Sequence, residues 1–130
     1  MSELIEVMRC KPFFYAEKGA SVNQIEQAEK YLGIEFALDF KEYLRKFGAV
    51  SFDGHELTGF SADKNLDVVE VTKKNWHKYS VEKNIYVIEE AHIDGIVIWQ
   101  APSGEIYLTE PGFQIHKICN SLLEYISGNY

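Results

Sequence analysis

Histidines are the first residues to examine for chemistry, because imidazole is both a common metal ligand and a general base near neutral pH. A metal site on one helix face needs close ligand spacing, as in a His-Glu-x-x-His motif, and the chain contains no such motif. The spacing therefore predicts no metal site, although ligands that only folding brings together leave no spacing signal. We expect surface or half-buried positions for His55, His77, His92 and His116.

The two cysteines, Cys10 and Cys119, lie near opposite ends of the chain and form no Cys-x-x-Cys motif. We expect free thiols in a reducing compartment. Either cysteine could form a nucleophile pair with His116, but His116 and Cys119 lie three apart on a predicted helix, where burial of the thiol is the commoner outcome. The glycines form neither type of phosphate-binding loop, so no cofactor is predicted.

Glu89 and Glu90 are adjacent carboxylates that could in principle do acid/base work. They lie on a predicted strand, where consecutive side chains point to opposite faces, and this favours a solvated charge over a catalytic pair. With no other catalytic motif in the chain, we expect a protein that is not an enzyme.

The net charge of the chain excludes some classes of binding partner. The chain has 20 acidic and 13 basic residues and a net charge of −7, which repels nucleic-acid phosphates and anionic lipids. It has no apolar run near the roughly 18 residues of a membrane span and no basic signal segment, so we expect a cytoplasmic protein. Acids dominate the middle and later chain, in a first group of Asp53, Glu56, Asp63, Asp67 and Glu70 and a second group that includes Glu89, Glu90 and Asp94.

Capping residues and apolar spacing predict the helices. A short helix is expected over residues 3–9, and a second begins at Ser21, where Gln24 completes a capping box, and ends at Gly33. Asp39 with Glu42 predicts a further capping box for a helix ending at Gly48. A last helix is expected from Ile115 to Ile126, closed by Ser127 and Gly128.

Five runs rich in β-branched and aromatic residues predict strands: HELTGF, LDVVEV, NIYVIEE, IVIWQ and EIYLT. Turns at Asp94-Gly95 and Pro102-Ser103-Gly104 predict an antiparallel meander of the last three. The segment TKKNWHKYS, with Thr72 as its cap, predicts a short helix, and Trp99 is expected in the core while Trp76 is assigned to neither core nor partner contact. The expected fold is one α+β domain over residues 1–130, with a mostly antiparallel central sheet of about four to six strands and helices packed around it.

The segment SVNQIEQAEKYLGIEFALDFKEYLRKFGA resembles the opening of the SUKH superfamily, which includes killer-toxin-resistance and cell-wall-regulator-like proteins. The resemblance runs from about Ser21 to Ile126, with one departure at Ala37, where the family usually has proline. It implies a binding domain without catalytic residues, since many bacterial members are immunity proteins against polymorphic toxins and fungal members are partners in cell-wall signalling. The matching positions, in and at the ends of the second and third predicted helices, are Ile25, Glu29, Leu32, Gly33, Phe40, Tyr43, Leu44 and Gly48.

The resemblance and the acidity together favour an immunity protein that blocks a cognate, basic toxin of the nuclease or deaminase type. Its acids would face the toxin's phosphate-binding surface, so contacts are expected at Asp53, Glu56, Asp63, Asp67, Glu70, Glu89, Glu90 and Asp94. Two alternatives stay open: an intracellular adaptor that binds a host protein, and a hydrolase assembled from scattered histidines, cysteines and acids. The oligomeric state is not predicted.

Overall fold

The computed structural model describes residues 2–128 and residue 130, and it has the predicted α+β architecture. The helices are α1 (Glu3–Arg9), α2 (Val22–Leu32), α3 (Leu38–Phe47), α4 (Val68–Tyr79) and α5 (Leu122–Ser127). The strands are β1 (Tyr15–Ala16), β2 (Val50–Phe52), β3 (His55–Glu56), β4 (Tyr86–Glu90), β5 (Val97–Gln100), β6 (Ile106–Thr109) and β7 (His116–Cys119), and a 3₁₀ turn covers Lys64–Leu66.

The strands form two antiparallel sheets. The main sheet has the order β4-β5-β6-β7, which confirms the predicted meander and adds a fourth strand to it. A small sheet has the order β1-β2-β3, and a single bridge between Leu57 and Glu89 joins it to the edge of the main sheet. The first two strands of the small sheet were not predicted, because strands of two or three residues are too short to show alternation.

The first two helices form as their sequence predicts. In α2 the Ser21 hydroxyl accepts from the Gln24 backbone N–H at 3.1 Å, and the Gln24 side chain accepts from the Ser21 N–H at 2.8 Å. Gly33 ends α2 with φ +72°, a conformation that costs glycine no Cβ clash. Helix α1 has the predicted bounds and buries its apolar side toward α3 and α5.

The predicted capping box of α3 is wrong. The helix is capped at Ala37 without a side-chain hydrogen bond, and Asp39 lies inside its first turn. The Asp39 carboxylate instead accepts from Gln100 Nε2 and from the backbone N–H of Leu122, both at 2.9 Å. Asp39 therefore ties α3 to β5 and α5, a long-range role that a local motif cannot reveal.

Two further element predictions are wrong. The run LDVVEV is the start of α4, whose cap is Asp67, and Thr72 lies within the helix, where its hydroxyl accepts from the Val87 N–H at 3.0 Å. The predicted long C-terminal helix is split, since its first part is the strand β7 and α5 begins only after Ser121, whose hydroxyl caps it. In both runs the apolar residues fit a strand and a helix pattern, and tertiary packing decides between them.

The main sheet is covered on two sides. On its inner face, Tyr86 packs against Phe40 of α3 with the ring centroids 5.0 Å apart. On its outer face, α4 packs on β4, and the Trp76 indole N–H donates to the carbonyl of Ile85 at 2.8 Å. Trp99 is fully buried, as predicted, and Trp76 is also a core residue. Among the described helices, none combines the length and hydrophobicity needed to cross a bilayer.

Candidate partner-binding surface

A polar groove of about 510 Å³ lies between α4, the 3₁₀ turn and the loop that joins β4 to β5. Three of the acids predicted to contact a partner, Glu56, Asp63 and Glu90, line it. The segments that carry them are far apart in sequence, and the bridge from Leu57 to Glu89 brings β3 and β4 together. The same groove also carries Lys74, Lys78 and His92.

The acids of this polar groove are partly neutralised by neighbours. Lys74 Nζ lies 3.2 Å from a Glu90 oxygen, and Asn75 Nδ2 donates to the same carboxylate at 3.0 Å. His92 Nε2 lies 3.9 Å from Glu56, and both of these side chains are at least half exposed. The pair of His92 and Glu56 is exposed, and such pairs contribute little to stability, so a partner's cation can replace it at small cost. Glu90 is more firmly held, since its side chain is only 18% exposed and the buried Asn75 donates to it.

Asp63 and Asp67 have a structural role in addition to their charge. Asp63 Oδ1 accepts from the backbone N–H of Asn65 at 2.9 Å, which caps the 3₁₀ turn. Asp67 Oδ2 accepts from the backbone N–H of Glu70 at 3.0 Å and caps α4. A negative charge at these positions is thus favoured by the helix ends themselves.

Asp53 and Asp94 lie at turn tips, each with positive φ and each followed by a glycine with positive φ. Asp94, in the β4–β5 loop, precedes Gly95 on the border of the polar groove, whereas Asp53 lines a separate cavity of about 220 Å³. Glu70 is exposed on the first turn of α4. The predicted contact residues therefore do not form one continuous patch.

Glu89 differs from the other predicted contacts because it is buried, with 3% of its surface exposed. A bulge between Val87 and Glu89 shifts the register, so that Glu89 lies opposite Ile98 and Glu90 lies opposite Val97. Without the extra residue Glu89 would share the outer face with Val97. The two carboxylates do point to opposite faces, as expected, but neither is a freely solvated charge.

The buried Glu89 carboxylate has three donors from its own chain. It accepts from the Tyr125 hydroxyl at 2.5 Å, from His55 Nδ1 at 3.0 Å and from the backbone N–H of Glu56 at 3.2 Å. Burial, together with the charge of Glu89, raises the pKa of Tyr125. This cluster joins β3, β4 and α5, and it was not predicted because the alternation of residues along a strand does not reveal the bulge that creates it.

Among the residues with potential for catalysis, His55 contacts the Glu89 carboxylate, whereas Cys10 follows α1 and Cys119 lies on β7. All four histidines are exposed, in agreement with the prediction. Cys10 is exposed and Cys119 is buried, and burial raises the pKa of the Cys119 thiol, which disfavours the nucleophilic thiolate. Within residues 2–128 and 130, no three histidine, cysteine or acidic side chains lie close enough together to hold a metal ion.

The protein-family comparison covers almost the whole chain. A family model described as SUKH_5, SMI1-KNR4 cell-wall, matches residues 1–127. This chain belongs to the SUKH_5 family. No curated protein matches it in sequence.

The positions that carry the SUKH resemblance are mainly interior ones. Ile25 and Leu32 of α2 and Phe40 and Tyr43 of α3 are all buried. Tyr43 is fully buried and its hydroxyl donates to the carbonyl of Thr58 at 2.6 Å, which fixes α3 against the segment that enters the polar groove. The residues that carry the family resemblance thus lie mainly in the packed interior formed by α2 and α3.

Proposed function

We propose that this SUKH domain is an immunity protein of the cytoplasm that binds a cognate toxin and blocks it without chemistry of its own. The observation that carries the proposal is the match of the SUKH_5 model to residues 1–127. The resemblance associates such domains with immunity against polymorphic toxins. The toxin would be a basic nuclease or deaminase, since enzymes that act on nucleic acid need cations for phosphates.

The polar groove supports an electrostatic mode of binding. Its acids are exposed or half-buried, and the whole chain has a net charge of −7. Complementary potentials increase the rate of association and place the inhibitor over the substrate-binding face of the toxin. Glu89 is excluded from this surface because its carboxylate is buried and bonded within the chain.

The test is co-expression with the toxin domain encoded beside this gene, with growth as the readout and calorimetry for affinity. The chain should rescue growth and form a one-to-one complex that weakens as salt is raised. The triple variant Glu56→Gln, Asp63→Asn, Glu90→Gln should lower the association rate about 10-fold or more at low salt. A matched control, Glu26→Gln, Glu35→Gln, Glu42→Gln, removes the same charge from exposed positions on and around α2 and α3.

Three results would contradict the proposed role or the proposed contact site. If the intact chain leaves the toxin lethal, or if pull-down returns only a housekeeping protein, the immunity role is wrong and an adaptor is the better description. If both triple variants weaken binding equally, net charge steers the complex and the polar groove is not the contact site.

A further inference from the structure

The outer face of the main sheet is covered over only half of its width. Val87, Trp99, Tyr107 and Lys117 form one cross-strand row from β4 to β7. The first two are fully buried where α4 packs, whereas Tyr107 is half-buried and Lys117 is exposed. Helix α4 packs on β4, and the full burial of this row therefore ends at β5, before Tyr107 of β6 and Lys117 of β7.

The uncovered half is the floor of a groove of about 950 Å³, which we call the apolar groove. One side is the end of α4 with the segment after it, residues 79–82 and 84–85, and the other is the loop before β7 with the start of that strand, residues 113–117. The β5–β6 turn closes one end. Phe113 and Ile115 are apolar side chains of this loop that are 71% and 43% exposed. Large apolar side chains around a concavity are typical of a binding surface.

We propose that the apolar groove binds an amphipathic α-helix of a partner protein. Strands lie about 4.8 Å apart, so β6 and β7 present a strip about 10 Å wide, which is the diameter of one helix. A partner helix would lie beside α4 at the usual helix spacing of about 8–10 Å and complete the layer. Its apolar stripe would cover Tyr107, Phe113 and Ile115.

The charged residues around the apolar groove indicate which charges the two flanks of the partner helix should carry. Glu82 and Glu105 lie near the β5–β6 turn, and Lys117 lies on the β7 side. The complementary helix carries basic residues along the flank that faces the two acids and an acidic residue toward Lys117. This inference does not depend on the identity of the toxin and concerns a surface other than the polar groove.

An extended segment is a poorer occupant than a helix. The edge of β7 could pair with a strand, but such a strand would continue the sheet in its own plane. An added strand would leave the apolar side chains at the outer face, such as Phe113, exposed to solvent. A second copy of the chain is the other possible occupant, and the experiment distinguishes it.

The probe is a 15-residue peptide with leucine at helical spacing, lysine on one flank and glutamate on the other, and its scrambled version is the control. Titration into the ¹⁵N-labelled chain at 0.15 M salt should shift the amides of Tyr107, Phe113, Ile115 and Lys117. Phe113→Ser with Ile115→Ser should weaken binding about 10-fold or more, since two apolar side chains that the bound helix would bury are lost. The matched control is Phe13→Ser with Tyr15→Ser, which alters two side chains that are 91% and 62% exposed elsewhere.

Four results would overturn the inference. Equal binding of the scrambled peptide, or equal loss in both double variants, would mean that the contact is not specific to the apolar groove. An extended bound peptide would favour strand addition. A concentration-dependent dimer that disappears with Phe113→Ser and Ile115→Ser would assign the groove to a second copy. The Glu56, Asp63 and Glu90 triple variant should bind the peptide normally, so failure of the polar-groove proposal would be seen separately.

Discussion

Asp39 shows how a single side chain can be diverted from a local role to a long-range one. Its carboxylate holds Gln100 and the N-terminal N–H of α5, whereas Glu42, its predicted capping partner, is exposed. We expect Asp39→Ala to lower the free energy of unfolding by about 1–3 kcal/mol, because the Leu122 N–H loses its acceptor. Urea unfolding measures this change.

Glu42→Ala is the matched control for Asp39, and it should change the free energy of unfolding by less than about 0.5 kcal/mol. A true capping box would make the two substitutions similar in cost. Equal losses would therefore show that Asp39 acts at the end of α3, and the tie to α5 would be wrong.

The buried Glu89 carboxylate should matter more to stability than any of the exposed acids. Glu89→Ala removes the acceptor of the Tyr125 hydroxyl and of the Glu56 N–H, so we expect a loss of about 2–4 kcal/mol in unfolding free energy. Glu70→Ala, at an exposed position of similar charge, should cost less than about 1 kcal/mol. Thermal and urea unfolding of both variants check this, and similar stabilities would place Glu89 in solvent.

Elements were predictable where a local signal agrees with the packing. The Ser21 capping box and Gly33 define α2, and the turns at Asp94 and Gly104 define the strands around them. The sequence-based prediction failed where the apolar residues of one run fit both the helical period and the alternation of a strand. The buried residues Val68, Val71 and Thr72 have helical spacing, but their β-branched side chains also favour a strand. The cap at Asp67 is the local feature that indicates a helix.

Helix α4 provides a test that separates structure from docking. Asp67→Ala removes the cap and should lower unfolding free energy by about 1 kcal/mol, whereas Asp67→Asn keeps an acceptor and should cost only a few tenths. Both variants remove one charge from the predicted contact region. If Asp67 contacts a partner electrostatically, both should weaken the complex equally although their stabilities differ. Binding that follows stability alone would assign Asp67 to the helix end only.

At the scale of the molecule, the candidate surfaces follow from how the layers are assembled. The acids were visible in the sequence, but the bulge that buries Glu89 and the gathering of Glu56, Asp63 and Glu90 depend on long-range pairing. The apolar groove was not predicted, because Ile115 was assigned to a helix and its exposure results from β7 being an edge strand. Sequence patterns predict which residues are buried in the core. That β6 and β7 have none of the described helices over their outer face can be seen only in the assembled fold.

The interior tyrosines make the whole fold sensitive to alkali. Burial raises the pKa of Tyr43, Tyr86 and Tyr125 above the ordinary value of 10. Below pH 10 both the folded and the unfolded chain hold these protons, so stability is unaffected. Above pH 10 the unfolded chain releases them while the folded chain retains them, and stability falls as pH rises. With three groups, the free energy of unfolding should fall by up to about 4 kcal/mol per pH unit.

Urea unfolding between pH 9 and 11.5 measures this slope, and substitution apportions it. Tyr86→Phe removes one titrating group and should reduce the slope by up to about 1.4 kcal/mol per pH unit, whereas Tyr31→Phe, at a side chain that is 71% exposed, should leave it unchanged. A slope that is flat above pH 10, or that falls equally in both variants, would mean that the hydroxyls reach solvent in the folded chain. Tyr86 retains its proton in the folded chain because its hydroxyl is buried and donates to the Gln100 side chain while it accepts from the Ala37 N–H, a contact that holds α3 to the main sheet.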